Sequence, residues 1–121
     1  MKELTKAEEE VMQLLWQLKQ ANVATLLEEI PEPKPAYNTI STIVRILESK
    51  GFVGYEKKGR GHIYFPLIEK ERYSKFSLTK VMNNYFDGSV KNMLSFFVQK
   101  NDMSIQELEE ILTEINKKKT S

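Results

Sequence analysis

The sequence contains no cysteine and only one histidine, His62. Without thiols the chain has neither a disulfide framework nor a thiolate site for zinc, copper or an iron–sulfur cluster. A single histidine also excludes a metal site built from several histidines. We therefore expect this chain to bind no metal and no cofactor.

Long apolar runs are missing as well. No stretch reaches the roughly 18 apolar residues of a membrane-spanning helix, and the first residues lack the apolar segment of a signal peptide. We expect no membrane insertion and a cytoplasmic location. The chain has 121 residues, of which 40% are hydrophobic and 29% are charged. This composition predicts an ordinary globular domain, with or without an appendage.

The chain also has almost no net charge, because its formal value at pH 7 is only +1. The charges are unevenly distributed, however. Residues 34–64 carry six basic and two acidic groups, whereas residues 1–33 carry three basic and seven acidic groups. A basic middle segment in a nearly neutral chain predicts a local anionic partner, and nucleic acid is the leading candidate.

Helical periodicity predicts three helices in the first half of the chain, over residues 6–18, 23–30 and 37–50. Thr5 and Glu8 have the spacing of a capping box, which predicts the start of the first helix. Prolines at alternate positions after residue 30 predict a stiff, extended connection to the third helix.

A β-hairpin is predicted after these helices. Residues 52–56 and 62–65 are rich in β-branched and aromatic side chains, and the intervening loop 57–61 contains glycine and three basic residues. Three helices followed by a hairpin is the order of a winged helix-turn-helix, which we assign to residues 1–66. The predicted fold class is therefore mainly α with a small β-hairpin.

The polar face of the third helix is predicted to read DNA. In a helix-turn-helix the last helix enters the major groove, where Asn pairs with adenine, Arg with guanine, and Thr meets a thymine methyl group. Residues at the helix entrance and on the wing are expected to contact phosphates. The predicted DNA-binding residues are Lys34, Tyr37, Asn38, Thr39, Ser41, Thr42, Arg45, Lys57, Lys58 and Arg60. The alternative is a winged helix that mediates only protein–protein contacts, without specific DNA binding.

Catalysis has little support in the sequence. Gly59-Arg60-Gly61 is predicted to be a turn rather than a phosphate-binding loop, and no carboxylate pair flanks an expected cleft. We expect this chain not to be an enzyme, and an enzyme with an unrecognised site is the weakest of the three hypotheses.

Residues 67–121 are predicted to form a three-helix dimerisation region. Many large apolar side chains fall in these roughly 55 residues, and so small a unit without disulfides or metal is only marginally stable. Burial against a second copy is therefore expected, with packing onto the N-terminal domain as the alternative. The predicted dimerisation residues are Phe86, Val90, Met93, Leu94, Phe97, Ile105, Leu108, Ile111 and Ile115.

Several short motifs, taken in order along nearly the whole chain, resemble the penicillinase-repressor family. Each motif is weak alone, but their order and spacing together are specific. The matching segments are residues 4–8 (LTKAE) with Val11, Met12 and Trp16, residues 27–30 (LEEI), 38–42 (NTIST), 47–53 (LESKGFV), 87–89 (DGS) and 104–112 (SIQELEEIL).

The resemblance implies a homodimeric bacterial repressor that binds an inverted-repeat operator in double-stranded DNA and controls antibiotic resistance. It implies a membrane metalloprotease sensor as a partner, which cuts relatives at an Asn–Phe bond within the dimerisation helices. In this chain Phe96 and Phe97 occupy that position. One expectation is cleavage near this bond; the alternative is that both phenylalanines simply pack in the core.

Two departures from the family pattern matter. Relatives have a basic residue followed by Thr-Ile-Arg where this chain has Asn38-Thr39-Ile40-Ser41, so we expect a different operator sequence. The copper-sensing branch ends in cysteine pairs, which this chain lacks, so copper control through this chain is not expected.

Overall fold

The computed structural model describes residues 1–120, with side chains described as far as residue 117. Within this stretch the chain forms three helices, a hairpin and three further helices, which confirms the predicted fold class. The elements are α1 (Lys6–Leu18), α2 (Val23–Glu29), α3 (Tyr37–Ser49), β1 (Val53–Lys58), β2 (Gly61–Pro66), α4 (Lys70–Tyr85), α5 (Val90–Gln99) and α6 (Ile105–Thr120).

The chain divides into two compact units, Met1–Ser77 and Leu78–Ser121. The first unit is longer than the predicted domain 1–66 because α4 begins inside it. Tyr73 is buried there, and its ring lies 5.5 Å from Phe52 and 6.2 Å from Trp16. Its hydroxyl oxygen also accepts a hydrogen bond of 3.0 Å from the backbone N–H of Leu4.

The core of the first unit forms where α1, α2, α3 and the hairpin meet. Each helix has apolar residues at helical spacing on one face, and burial of these faces drives the packing. The fully buried side chains include Val11, Met12, Leu15, Leu26, Val44, Leu47, Phe52 and Val53. Because the inner face of α3 is fixed in this core, its polar face must point outward.

The first helix starts as the sequence predicts. The Thr5 hydroxyl accepts the backbone N–H of Glu8 at 3.2 Å, and the Glu8 carboxylate accepts that of Thr5 at 3.0 Å. Glu8 is itself buried and forms an ion pair with Lys50 at 2.5 Å. Since Lys50 caps the end of α3, this pair ties the start of α1 to the end of α3.

The end of α3 is a Schellman motif. Gly51 has φ +81°, its N–H bonds to the carbonyl of Glu48, and the N–H of Phe52 bonds to that of Leu47. This positive φ favours glycine. Leu47 and Phe52, at the two positions that often make an apolar contact in this motif, both belong to the buried core. The observed end of the helix, with Lys50 as its C-cap, agrees with the predicted range 37–50.

The hairpin has longer strands and a shorter loop than predicted. β1 pairs with β2 antiparallel from Val53 opposite Pro66 to Lys58 opposite Gly61. Only Gly59 and Arg60 remain in the turn, and Gly59 has φ +61°, as expected for the first central residue of a type II′ turn. The predicted five-residue loop 57–61 is thus wrong, because Lys57 and Lys58 continue the strand.

Ala21 forms one additional backbone bridge to the hairpin. Its N–H bonds to the carbonyl of Tyr64 at 3.0 Å, and its carbonyl accepts the N–H of Tyr64 at 2.9 Å. The bridge fixes the hairpin to the connection between α1 and α2, and therefore positions the hairpin within the first unit.

The second unit has capped helices but no buried side chain among residues 78–117. The hydroxyl of Ser89 accepts the N–H of Asn92 at the start of α5, and that of Ser104 accepts the N–H of Glu107 at the start of α6. Among the described residues, we find no helix long and apolar enough to cross a membrane.

Candidate nucleic-acid interface

A cleft of about 490 Å³ in the first unit is bounded by the start of α2, the outer face of α3 and the hairpin. Its lining is mostly polar and aromatic. The lining residues are Asn22, Val23, Ala24, Tyr37, Asn38, Ser41, Arg45, Glu48, Tyr55, Arg60, Gly61, His62 and Tyr64. This is the concave surface on which five of the ten predicted DNA-binding residues converge.

The α3 wall of the cleft is a single stripe of side chains. Asn38, Ser41, Arg45 and Glu48 are spaced by three or four residues, which places them on one helical face. The opposite face carries the buried residues of α3, so the stripe is presented to solvent. Such a stripe offers amide, hydroxyl and guanidinium groups, which can hydrogen-bond to base edges.

Five predicted residues lie together in this cleft: Tyr37, Asn38, Ser41, Arg45 and Arg60. The first four come from α3, whereas Arg60 comes from the hairpin turn. The turn therefore brings a second guanidinium group to the same cleft as the stripe of α3, although Arg45 and Arg60 are fifteen positions apart in the sequence.

Thr39 and Thr42 are exposed but do not line the cleft. The Thr42 hydroxyl donates a 2.8 Å hydrogen bond to the backbone carbonyl of Asn38, so its oxygen can only accept from a ligand, while its methyl group stays available for an apolar contact. Thr39 lies about 100° around the helix from Asn38, because consecutive α-helical residues rotate by that angle.

Lys34 is also outside the cleft. Its ammonium group donates hydrogen bonds to the backbone carbonyls of Leu27, Glu28 and Ile30 at 2.9, 3.0 and 2.7 Å. These are the last carbonyls of α2 and the residue that follows it. In this structure the predicted phosphate-binding ammonium is therefore bonded to the end of a helix.

The hairpin presents an aromatic face that the sequence analysis did not include in the site. Tyr55 pairs with Tyr64 and Lys57 pairs with His62, so these four side chains share one face of the hairpin. The rings of Tyr55 and His62 lie 4.8 Å apart. Because side chains alternate along a strand, Tyr55 and Lys57 lie on the same face of β1. Their partners on β2 can be named only once the strand register is known.

Glu48 also lines the cleft, although the sequence analysis does not assign it to the site. Burial raises the pKa of Tyr64, and the nearby negative charge of Glu48 raises it further, while Arg45 acts in the opposite direction. The Tyr64 hydroxyl therefore stays protonated and neutral. The cleft carries two guanidinium groups and one carboxylate, so its net charge is positive.

The side chains of the cleft can bind nucleic-acid groups directly. Among the described residues, no group of three or more His, Asp or Glu side chains is placed to hold a metal ion. The titratable groups of the cleft are spread along its walls, and they match the donors and acceptors of base edges and phosphates.

The second unit has a separate apolar surface. A groove of about 620 Å³ lies between α5 and α6, and a hollow of about 690 Å³ lies beside the end of α4. Val90, Leu94, Ile105 and Leu108 line the groove, and Phe86 lines the hollow. The other predicted dimerisation residues, Met93, Phe97, Ile111 and Ile115, lie outside these two linings and are half-buried or exposed.

Phe96 and Phe97 lie within α5 and remain 43% and 37% exposed. The Phe96 ring contacts that of Phe86 edge-on at 5.5 Å. The Phe96 carbonyl accepts the N–H of Lys100, and the Phe97 carbonyl accepts that of Asp102. Neither phenylalanine belongs to a buried core within this single chain.

Known proteins resemble this chain over nearly its whole length. The model of the penicillinase repressor family matches residues 4–117. The chain is 32% identical over 117 residues to the methicillin resistance regulatory protein MecI of Staphylococcus aureus, covering 96% of this chain and 95% of that protein. It is 27% identical over 110 residues to the penicillinase repressor of Bacillus licheniformis, covering 90% and 86%.

Among solved structures, the chain resembles the solution structure of the DNA-binding domain of the repressor BlaI. The TM-score is 0.52 at 30% identity, and the match covers 60% of this chain and 94% of that domain. The predicted winged-helix fold is confirmed by this match and by the order of helices and hairpin.

Proposed function

We propose that this chain, which belongs to the penicillinase repressor family and is a DNA-binding transcriptional repressor, acts as a homodimer on an inverted-repeat operator. The observation that carries this proposal is the polar stripe of α3, which faces the hairpin across an open, positively charged cleft. As a member of a repressor family, the chain regulates transcription and is not an enzyme.

Base recognition is assigned to α3, which we call the recognition helix. In the proposed complex it lies in the major groove, where Asn38 pairs with adenine and Arg45 with guanine. Ser41 accepts or donates a hydrogen bond, and the methyl group of Thr42 meets a thymine methyl. The positions of Asn38, Ser41 and Arg45 on one cleft wall support this assignment.

Phosphate contacts are assigned to the helix entrance and the wing. Tyr37 and Thr39 lie at the start of the recognition helix, where backbone contacts fix the orientation of a bound domain. Lys57, Lys58 and Arg60 supply positive charge on the hairpin. Because the turn has only two residues, these charges lie on or beside paired strands rather than on a long loop.

Dimerisation is assigned to the second unit. Proteins that remain monomeric rarely expose large contiguous apolar surface. Here Ile105 is 65% exposed and Leu112 is 52% exposed, and no side chain of residues 78–117 is buried. A two-fold partner would cover this surface, and its symmetry would match an inverted-repeat operator.

Release from DNA is assigned to proteolysis within the second unit. We place the cut near Phe96 and Phe97 and assign it to a membrane metalloprotease sensor, as the family resemblance implies. The exposure of both side chains supports access to this segment once α5 opens locally. The repressor itself acts on DNA in the bacterial cytoplasm.

The test combines a gel shift with sedimentation of the full chain. We expect a fragment from upstream of the chain's own coding region to bind more tightly than random DNA, and the free protein to sediment as a dimer. Equal binding to both DNAs would favour the protein–protein module instead. A monomer at micromolar concentration would contradict the dimer.

A further inference from the structure

The strongest unassigned feature is the network around Lys34, in the connection between α2 and the recognition helix. Its ammonium nitrogen lies 2.9 Å from the Leu27 carbonyl, 3.0 Å from that of Glu28 and 2.7 Å from that of Ile30. The Lys34 backbone N–H also donates to the Glu32 carboxylate at 3.2 Å. The residue is therefore held at both its backbone and its side chain.

The three carbonyls use the full donor capacity of the ammonium group, since a lysine ammonium has three N–H donors. The last carbonyls of a helix need a donor from outside it, because few or no N–H groups within the helix reach them. Of these three, the Leu27 carbonyl additionally accepts the backbone N–H of Ile30 at 3.3 Å. The last turn of α2 contains no basic residue, so Lys34 supplies the cation that the negative end of the helix favours.

The network is connected to the DNA-reading cleft at two points. The start of α2 lines the cleft with Asn22, Val23 and Ala24, and the connection that Lys34 anchors leads directly into Tyr37 at the start of the recognition helix. The N-cap of that helix, Ala36, has no side-chain hydrogen bond to its first turn. The entrance of the recognition helix thus lacks the local cap that α1 and α2 possess.

We infer that Lys34 is a positioning residue, which holds α2 and the start of the recognition helix in register for base reading, rather than a phosphate contact. This inference rests on the proposed function as a sequence-specific repressor. It follows from the three saturated N–H donors and from the missing cap at Ala36.

The test compares Lys34→Met with Lys57→Met, which serves as a matched control because Lys57 lies on the wing. Affinity is measured on operator and on random DNA over a range of salt concentrations. For Lys34→Met we expect roughly tenfold weaker operator binding, equivalent to part of one base contact, with unchanged random-DNA affinity and salt slope. For Lys57→Met we expect both affinities to fall and the slope to decrease by about 0.9.

Two results would overturn the inference. A reduced salt slope for Lys34→Met would make Lys34 a phosphate contact. Unchanged discrimination together with a lower melting temperature would make it a stabilising residue only.

Amide hydrogen exchange provides a second readout without DNA. We expect Lys34→Met to accelerate exchange at Ile30, Thr39 and Ile40 by about tenfold, because opening of this connection should become easier. Unchanged exchange rates at these three amides would show that Lys34 does not restrain the connection. If the wild-type chain selected no operator, the proposed function would fail, and exchange alone would decide whether Lys34 restrains the connection.

Discussion

In the proposed interface, the side chains of the cleft divide into those that read sequence and those that supply charge. Arg45 projects from the middle of the recognition stripe, whereas Arg60 sits in the hairpin turn. Both are arginines in the same cleft, so their different positions, rather than their chemistry, should decide their roles. Glu48 at the end of the stripe repels phosphates and can accept a hydrogen bond from cytosine.

Replacing the two arginines separately should separate these roles. We expect Arg45→Ala to lose about 1–3 kcal/mol of discrimination between operator and random DNA, the value of a bidentate base contact. Arg60→Ala should weaken binding to both DNAs and lower the salt slope by about one unit. Titrations of operator and random DNA at several salt concentrations measure both effects. Equal losses on both DNAs for Arg45→Ala would contradict its role in base reading.

A different residue couples the stability of the first unit to pH. Burial alone would raise the pKa of Glu8, but hydrogen bonds from Lys50 and from Thr5, with the charge of Lys50, outweigh it and hold the pKa below its ordinary value of 4.5. The ionised carboxylate is therefore favoured by folding. The contribution of the ionised carboxylate to the stability of the fold is complete above pH 4.5. It is lost as the pH falls through the lower pKa of the folded state.

We therefore expect the melting temperature of the wild-type chain to fall as the pH drops below about 4.5. Glu8→Gln should lower stability at pH 7 by about 1.5–3 kcal/mol, the value of hydrogen bonds to a charged group, and should reduce this acid sensitivity. Thermal unfolding at pH 3 to 7 checks both. An identical pH profile for the variant would show that other carboxylates cause the acid loss.

At the scale of elements, local signals determine how much of the fold can be predicted. The helix starts at Thr5 and Asn22 and the helix end at Gly51 depend on residues within a few positions, and the predicted ranges 6–18, 23–30 and 37–50 begin or end beside them. The predicted hairpin loop is too long, because Lys57 and Lys58 are polar residues of the kind common in loops. Their pairing with His62 and Gly61 is set by the turn at Gly59 and by strand register.

The boundary of the first unit depends on contacts that no local pattern reveals. Tyr73 looks like one more apolar position of α4, but its partner Leu4 lies 69 residues away. Trp16 likewise donates its indole N–H to the Ile68 carbonyl at 2.9 Å.

The cleft also combines residues that local patterns predict with residues that they do not. The stripe of α3 follows from helical spacing, whereas the contributions of Tyr55 and of the start of α2 follow only from the packed structure.

These contacts predict different behaviour for two fragments of the first unit. A fragment of residues 1–77 keeps Tyr73 in its site, whereas a fragment of residues 1–66 removes it together with the Ile68 carbonyl. We expect the shorter fragment to be less stable by about 3 kcal/mol or more, as for loss of a buried aromatic side chain. Urea unfolding of both fragments measures the difference. Equal urea midpoints and equal dependence on urea for the two fragments would show that the start of α4 does not stabilise the first unit.

At the scale of the whole molecule, the two units have unlike surfaces that suit different partners. The first unit has a well-packed core and an open polar cleft, whereas the second has helices without a buried side chain among residues 78–117. A single recognition helix reads only a short DNA segment. Joining two of them gives a much higher affinity, because the second half-site is then bound at high effective concentration.

Truncation after Phe96 should therefore abolish dimerisation and tight operator binding together. The truncated chain loses the end of α5 and all of α6, including Ile105, Leu108 and Ile115, so the groove between these helices disappears. Burial of each such side chain contributes about 1.5–3 kcal/mol, so losing several removes much of the apolar burial expected to hold the dimer together. The two half-site contacts would then become independent and weak.

Sedimentation and gel shift on the fragment of residues 1–96 measure the two losses. A fragment of residues 1–116 is the matched control, because it removes the terminal lysines but keeps the apolar residues of α6. We expect the control to remain a dimer with nearly full operator affinity, whereas the shorter fragment should be monomeric and bind operator little better than random DNA. If residues 1–96 still formed a tightly binding dimer, α6 would not hold the dimer together, and cleavage near Phe96 could not release the repressor by this route.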